Sequence, residues 1–87
     1  MPYIKPELRK PFEDCIDNMV SKMYHTMTAG ELNFIISSLI DSYIIIKGLK
    51  YQNLNDVVGV LECAKAEFYR KIVVPYEIEK EKDNGPI

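Results

Sequence analysis

The sequence of 87 residues predicts an all-α fold, a compact three-helix protomer with a kink or break at Pro75. Apolar residues recur at spacings of three and four along most of the chain, which is the spacing of one face of an α-helix. The middle segment, Leu32–Ile46, is more apolar than one helix face requires. Because a chain this small has little interior, we expect the protomer to complete its core by homo-oligomerisation.

The length of the chain fits one helical domain that covers residues 1–87. Pro2 and Pro6 disfavour helix in the residues that precede them, so residues 1–6 are predicted to form an extended arm. Residues 83–87, Asp-Asn-Gly-Pro-Ile, terminate the last helix and are predicted to form a flexible tail.

The first helix is predicted from about Glu7 to His25. Pro11 falls within its first turns, so the start could instead lie nearer Pro11. Its apolar side chains make one continuous stripe at helical spacing: Leu8, Phe12, Cys15, Ile16, Met19 and Met23.

The second helix is predicted to begin after Thr28 and to end near Lys47. Thr28 and Glu31 have the spacing of a capping box, in which each side chain accepts a hydrogen bond from the other residue's amide. Gly48 suits the left-handed position that follows many helices. A strand over Tyr43–Ile46 is the alternative, since bulky and β-branched residues favour extended structure. The length of the segment and its flanking signals favour the helix.

The third helix is predicted to begin at Asn53 or Asn55 and to run to about Ile72. Pro75 should stop or kink this helix, because proline has no amide hydrogen to donate to the preceding turn. Tyr76–Lys82 is a candidate for a further helical stretch.

Composition argues against several classes of partner. The formal net charge is −2, and basic residues are scattered among acidic ones, which argues against a nucleic-acid polymer. No signal peptide precedes Cys15 and Cys63, so we expect free thiols and a cytoplasmic location. A single histidine, His25, and the absence of a Cys-x-x-Cys pair argue against a metal site. The Leu32–Ile46 run is shorter than the ~20 residues of a membrane span and contains polar residues, so no membrane association is expected.

No catalytic or cofactor motif accompanies these helices. The four glycines are isolated, so no phosphate-binding loop is present, and one histidine limits acid–base schemes. The paired acidic helices of all-α nucleotide pyrophosphohydrolases are also absent. Glu77, Glu79 and Glu81 have a spacing of two, which distributes them around a helix. We therefore predict that the protein is not an enzyme and needs no cofactor.

A polar stripe runs along the second helix, where Asn33, Ser37 and Asp41 lie four residues apart. Three large apolar residues lie beside this stripe and off the main apolar face: Phe34, Ile44 and Ile45. They are either scattered exposed hydrophobic residues, which are common, or part of a subunit interface that contains small polar groups. A solvated face would not normally carry three such residues, so we favour the interface.

Lys65 lies inside the apolar stripe of the third helix. Its stem could pack on the protein while the ammonium group stays in water, as lysine often does. Alternatively, the ammonium group forms part of a pocket wall, where a low dielectric strengthens its attraction for an anion. Tyr69, four residues on, could stack a ring beside it, and Arg70 could reach a phosphate from another wall.

Several segments resemble a small family of helical proteins found in phages and bacteria. The chain opens with the residues MPYI, and Gly30–Phe34 reads GELNF. The most specific segment, Gly59–Lys71, reads GVLECAKAEFYRK, and Pro75–Glu77 reads PYE. The family usually ends in Asn-Gly-Asp-Val, whereas this chain ends in Asn-Gly-Pro-Ile. The resemblance covers nearly the whole chain and implies a phage or prophage setting, but it brings no established activity.

Many short, acidic, oligomeric phage proteins act on host defence or on host enzymes, and some sequester nucleotide second messengers. By that analogy, we expect a non-catalytic protein in the host cytosol that sequesters a small nucleotide immune signal between its subunits. The signal would be a cyclic nucleotide or an ADP-ribose derivative, and the candidate ligand-binding residues are Lys65, Tyr69, Arg70, Tyr76, Asn33, Ser37 and Asp41. The alternative is a protein-binding module that inhibits or adapts a host protein through an exposed apolar patch. A purely structural oligomer is the third possibility.

Overall fold

The computed structural model describes residues 4–86, and within that range the chain is all-α, with no strand. The helices are α1 (Pro6–Val20), α2 (Ala29–Lys47), α3 (Tyr51–Phe68) and α4 (Val74–Asn84). A π-helical turn, Tyr69–Val73, joins α3 to α4 without a break, so the fold has three continuous helical segments. The prediction of an all-α, three-helix chain is therefore confirmed.

Helix α1 is shorter than predicted. It ends at Val20, five residues before His25. The Ser21 amide still donates four residues back, to the Asp17 carbonyl at 2.9 Å, but the Lys22 and Met23 amides donate three residues back, to the Met19 and Val20 carbonyls at 3.0 Å. The Ser21 hydroxyl also donates to the Asn18 carbonyl at 2.6 Å. These tighter bonds close the last turn and end the α-helical pattern.

The start of α1 lies at Pro6, and Pro11 is accommodated inside the helix. Half of the predicted extended arm, residues 1–3, lies outside the described residues. Ile4 and Lys5 have no regular structure, and Pro6, which was assigned to the arm, is the first residue of α1. The Ile4 carbonyl accepts a hydrogen bond from Arg9 Nε at 2.9 Å.

Helix α2 begins with the predicted capping box. The Glu31 amide donates to Thr28 Oγ1 at 3.1 Å, and the Thr28 amide donates to Glu31 Oε1 at 2.8 Å. The helix continues through Tyr43–Ile46, so the strand alternative is wrong. Gly48 follows with φ 109° and ψ 150°. Its φ is positive as predicted, but its ψ is extended, a combination that is almost restricted to glycine.

Helix α3 begins at Tyr51, before both asparagines predicted to start it. The Asn53 side chain has a different role. Its Nδ2 donates to the Gly48 carbonyl at 2.9 Å and to the Lys47 carbonyl at 3.3 Å. Asn53 therefore satisfies carbonyl groups at the end of α2, which have no partner within their own helix.

The chain remains helical on both sides of Pro75. The Val74 amide donates to the Tyr69 carbonyl, five residues back, which is the π-helical pattern. In a regular α-helix the Pro75 ring would clash with the carbonyl of Lys71, and the wider turn relieves that conflict. Helix α4 includes the predicted stretch Tyr76–Lys82 and extends to Asn84, so the first two residues assigned to the tail are helical.

The described part of the chain divides into two structural units, residues 4–53 and residues 54–86. The first contains α1 and α2, and the second contains most of α3, the π turn and α4. None of the described residues is buried, and the least exposed are only half-buried. Within residues 4–86, no apolar side chain is therefore fully buried in the protomer.

Candidate functional site

The seven predicted site residues fall into two groups, one in each structural unit. Asn33, Ser37 and Asp41 lie on α2 in the first unit. The second unit contains Lys65 on α3, Tyr69 and Arg70 in the π turn, and Tyr76 on α4. All seven are exposed in the protomer.

The polar stripe has the geometry that its spacing predicts. Because α2 is helical throughout, each of its three residues lies about 6 Å along the axis from the next, on one side of the helix. Phe34 and Ile45 flank the stripe and are 72% and 81% exposed. The stripe and its apolar flanks therefore form one uncovered surface.

Lys65 and Tyr69 line the same groove, as their spacing predicted. The groove lies on one helix face, is open to solvent and has a volume of about 300 Å³. Ala66, a small residue, also lines the groove. The arrangement combines an ammonium donor and an aromatic ring in one open site.

Glu62 also lines this groove, and the sequence analysis did not include it. It precedes Lys65 by three residues and Tyr69 by seven, so the same helical spacing that paired those two would have found it. Its carboxylate accepts hydrogen bonds and repels phosphate. The groove is therefore not uniformly basic, and an occupant should offer both an anion and hydrogen-bond donors.

Arg70 is directed to a different carboxylate. Its guanidinium forms a salt bridge with Glu67, which also binds Lys71 Nζ at 3.2 Å. The Glu67 side chain is 21% exposed, so the shared carboxylate is partly shielded from solvent. Lys65, by contrast, forms no salt bridge within residues 4–86. It is therefore the cation of this region that an incoming anion can reach without breaking an ion pair.

Tyr76 lies apart from the groove. Lys80 Nζ is 5.5 Å from the centroid of its ring, a distance at which the ammonium group is attracted to the aromatic face. Any stacking of a ligand on Tyr76 must therefore displace Lys80 or use the other ring face.

A second depression lies in the first unit, where the end of α1, the following loop and the start of α2 meet. Its volume is about 530 Å³, and Met19, Met27, Gly30, Phe34 and Ile35 form its apolar lining. No residue of this depression was among the predicted sites. Met19 and Met27 could have indicated this depression from the sequence, because flexible apolar side chains often line adaptable binding surfaces.

Residues 4–86 contain no group of three or more His, Cys, Asp or Glu side chains placed to hold a metal ion. Cys15 and Cys63 do not form a disulfide with each other. That the protein needs no cofactor stays a prediction.

The family model for DUF6899, a domain of unknown function, matches residues 1–87. The chain belongs to the DUF6899 family. It matches no curated protein and no solved structure. Membership of a family without established function agrees with the resemblance seen in the sequence.

Helix α2 of this DUF6899 protein is longer than the apolar run used to argue against a membrane span. It has 19 residues with a mean hydropathy of 1.4, and within residues 4–86 it is the helix that is long and apolar enough to cross a membrane. The length of α2 therefore does not exclude a membrane span, contrary to what the shorter apolar run predicted. The polar residues remain, since Asn33 and Asp41 lie inside the helix.

Proposed function

We propose that this DUF6899 protein is a homo-oligomer that binds and sequesters a small nucleotide immune signal in pockets completed between subunits. The observation that carries the proposal is the groove that joins Lys65 to Tyr69 on an exposed helix face. The ligand class is a cyclic nucleotide or an ADP-ribose derivative, which offers phosphate and a base to the same site.

Self-association is supported by the amount of uncovered surface. The described residues leave many large apolar side chains uncovered, among them Phe34 at 72%, Ile45 at 81% and Ile46 at 82% exposure. Covering such side chains is favourable because it removes apolar surface from water. A second copy of the chain is always present at equal concentration and is the simplest cover for this surface.

Protein cover is preferred to lipid because of the polar stripe on α2. An acidic side chain near the centre of a membrane helix costs about 2.5–3.5 kcal/mol on insertion scales, and Asp41 would incur that cost. In a protein interface the same carboxylate can accept hydrogen bonds. Flotation with lipid vesicles tests this choice, and we expect the protein to stay in the soluble fraction.

The groove residues match a nucleotide by their chemistry. The Lys65 ammonium would donate to a phosphate oxygen, and the Tyr69 ring would stack on a base above Ala66. Glu62 would accept from ribose hydroxyls or from an amino group of the base. The groove has one helix as its wall, so a second subunit must enclose the ligand.

The remaining predicted residues enter the proposal as contributions from that second wall. Asn33, Ser37 and Asp41 offer donors and acceptors for a base or ribose. Arg70 would take part where its bond to Glu67 is exchanged for one to phosphate. The predicted kink near Pro75 belongs here too, because a bend at the π turn would set the direction of Tyr76 and α4.

Binding without turnover requires no catalytic group, which matches the prediction that the protein is not an enzyme. Sequestration of a signal in the host cytosol by a phage-encoded protein is the corresponding biological setting. Incubation with cyclic nucleotides and ADP-ribose derivatives, followed by chromatography of the recovered ligand, should return it unchanged. If the protein converts the ligand and a Glu62→Gln variant does not, the protein is an enzyme and the prediction is contradicted.

The direct test is ligand-induced thermal stabilisation. A ligand at 100 times its dissociation constant should stabilise the protein by ~2.7 kcal/mol. Lys65→Ala should abolish this stabilisation, while Lys82→Ala, which removes an exposed lysine from α4, should retain it. Light scattering on the same samples should show that both variants keep the oligomeric state of the wild type. If no cyclic nucleotide or ADP-ribose derivative raises the melting temperature, sequestration is refuted.

A protein-binding module is the second candidate, and the apolar depression beside α2 favours it. A cavity of about 530 Å³ lined by methionine and phenylalanine is suited to an apolar side chain of a host protein. This candidate takes the lead if no nucleotide binds and if Phe34→Asp abolishes binding to a purified host partner.

A further inference from the structure

We infer that α2 pairs antiparallel with α2 of a second copy, about a two-fold axis at Ser37, so that Asn33 meets the partner's Asp41. The inference rests on the self-association in the proposed function and adds which surface associates, and in which direction. It assigns Asn33, Ser37 and Asp41 to the contact between subunits instead of to the ligand, so the nucleotide site would consist of the groove of Lys65 and Tyr69. It starts from the exposed surface formed by the polar stripe and its apolar flanks.

The surface is self-complementary about Ser37. In an antiparallel pair centred there, each residue faces the one equally far on the other side of Ser37 in the second copy. Asn33 then faces the partner's Asp41, an amide donor opposite a carboxylate acceptor. The other facing pairs place small residues against large ones or two apolar residues together: Gly30 with Ile44, Ala29 with Ile45, and Phe34 with Ile40.

The charges decide the direction of the two helices. In a parallel, in-register pair, Asp41 would lie beside the partner's Asp41, and two carboxylates would repel each other at an interface that excludes water. In the antiparallel pair the two carboxylates are ~12 Å apart along the axis. Each also gains a hydrogen bond from an asparagine amide, and bonds to charged acceptors are among the stronger ones.

The apolar depression at the start of α2 supplies the place for the ends of the partner helix. Gly30 and Phe34 line it, and they face the partner's Ile44 and the partner's Ile40 in this arrangement. A volume of about 530 Å³ is ample for such side chains. Ile45 of the same helix end is 81% exposed, so it has no cover within its own protomer. In the antiparallel arrangement Ile40 and Ile44, which are half-buried in the protomer, meet the partner's depression, and the exposed Ile45 meets Ala29 beside it.

Disulfide trapping tests whether the two-fold axis lies at Ser37. In a background with Cys15→Ala and Cys63→Ala, Ser37→Cys places two thiols at the two-fold axis. There the Cα atoms of closely packed helices come within the about 4.4–6.8 Å that a disulfide spans. Mild oxidation should give a covalent dimer. Ser42→Cys, on another side of the same helix, is the matched control and should remain uncrosslinked.

Each outcome of this crosslinking experiment bears on a different claim. Absence of a Ser37→Cys dimer in protein that light scattering shows to be oligomeric overturns the inference but leaves the proposed oligomer standing. Equal crosslinking of Ser42→Cys also overturns it. A monomeric wild type overturns both the inference and the self-association on which it rests.

Exchanging Asn33 and Asp41 tests whether the two α2 helices are antiparallel. Asn33→Asp should weaken self-association by at least about tenfold, because it places two carboxylates opposite each other. The double variant Asn33→Asp with Asp41→Asn restores one amide and one carboxylate per pair and should recover most of the wild-type affinity. Loss in the double variant equal to the sum of the two single losses would show that these residues do not meet.

Discussion

Replacing Ile45 by alanine tests whether the surface around the polar stripe is an interface. The residue is 81% exposed in the protomer, so association can still remove most of it from water. Alanine deletes three carbon atoms, each worth ~0.8 kcal/mol when fully buried, so the expected loss is about 2 kcal/mol per chain. A two-fold interface contains Ile45 from both copies. The dimer should therefore lose about 4 kcal/mol, which raises its dissociation constant about 1,000-fold.

Sedimentation equilibrium over a range of protein concentrations measures this dissociation constant. Leu49→Ala is the matched control, because Leu49 is 80% exposed but lies beyond the end of α2. We expect it to change the constant by less than about tenfold, the equivalent of ~1.4 kcal/mol. If Ile45→Ala leaves the constant unchanged, or if the two variants weaken association equally, the proposed surface is not the interface.

Three further predictions concern local structure. Gly48→Ala should destabilise the fold by about 1–3 kcal/mol in urea denaturation, because φ 109° with ψ 150° is strained for any residue with a Cβ. Gly59 lies in a helix, and a Cβ added there meets nothing within 4 Å, so Gly59→Ala should stabilise the fold by about 0.5–1 kcal/mol. If Gly48→Ala and Gly59→Ala change the stability in the same direction, the backbone conformation assigned to these glycines is wrong. Thr28→Ala should cost about 1 kcal/mol through loss of the helix cap, whereas Thr28→Ser should retain most of the stability; equal losses would argue against capping. Pro75→Ala supplies an amide that can bond to the Lys71 carbonyl, so the π turn should revert to α-helix with a higher melting temperature. A lower melting temperature, or amide chemical shifts unchanged around Tyr69–Val73, would show that Pro75 is not the cause of the turn.

Local sequence was sufficient where the interacting groups are close along the chain. The capping box requires Thr28 and Glu31 alone, so its two hydrogen bonds could be predicted from their spacing. The pairing of Lys65 with Tyr69 was predictable for the same reason, because residues four apart on a helix lie on one face. The choice of helix over strand for Tyr43–Ile46 also followed from flanking signals, since the helix had already been started by its cap.

Spacing along the sequence was insufficient where one group has several partners to choose from. Asn53 has the composition of a helix start, but its amide binds carbonyls at the end of α2. Arg70 was expected to be available to phosphate, but Glu67 lies within reach of both Arg70 and Lys71. Pro75 predicted an interruption, and the helix instead adopts a π turn that avoids the clash. In each case the outcome depends on a competition that spacing alone does not rank.

The sequence by itself determined that this protein is helical, where α2 begins and that its middle helix is more apolar than one helix face requires. These properties depend on hydrogen bonds and solvation of residues within a few positions of one another. Only the tertiary structure decided that no described residue is buried in the protomer and that the Asn53 amide binds carbonyl groups at the end of α2. Burial and the choice of a hydrogen-bond partner depend on which groups meet in space. The free energy of covering a helix face is similar for many partners, so the pattern of one chain does not select among them.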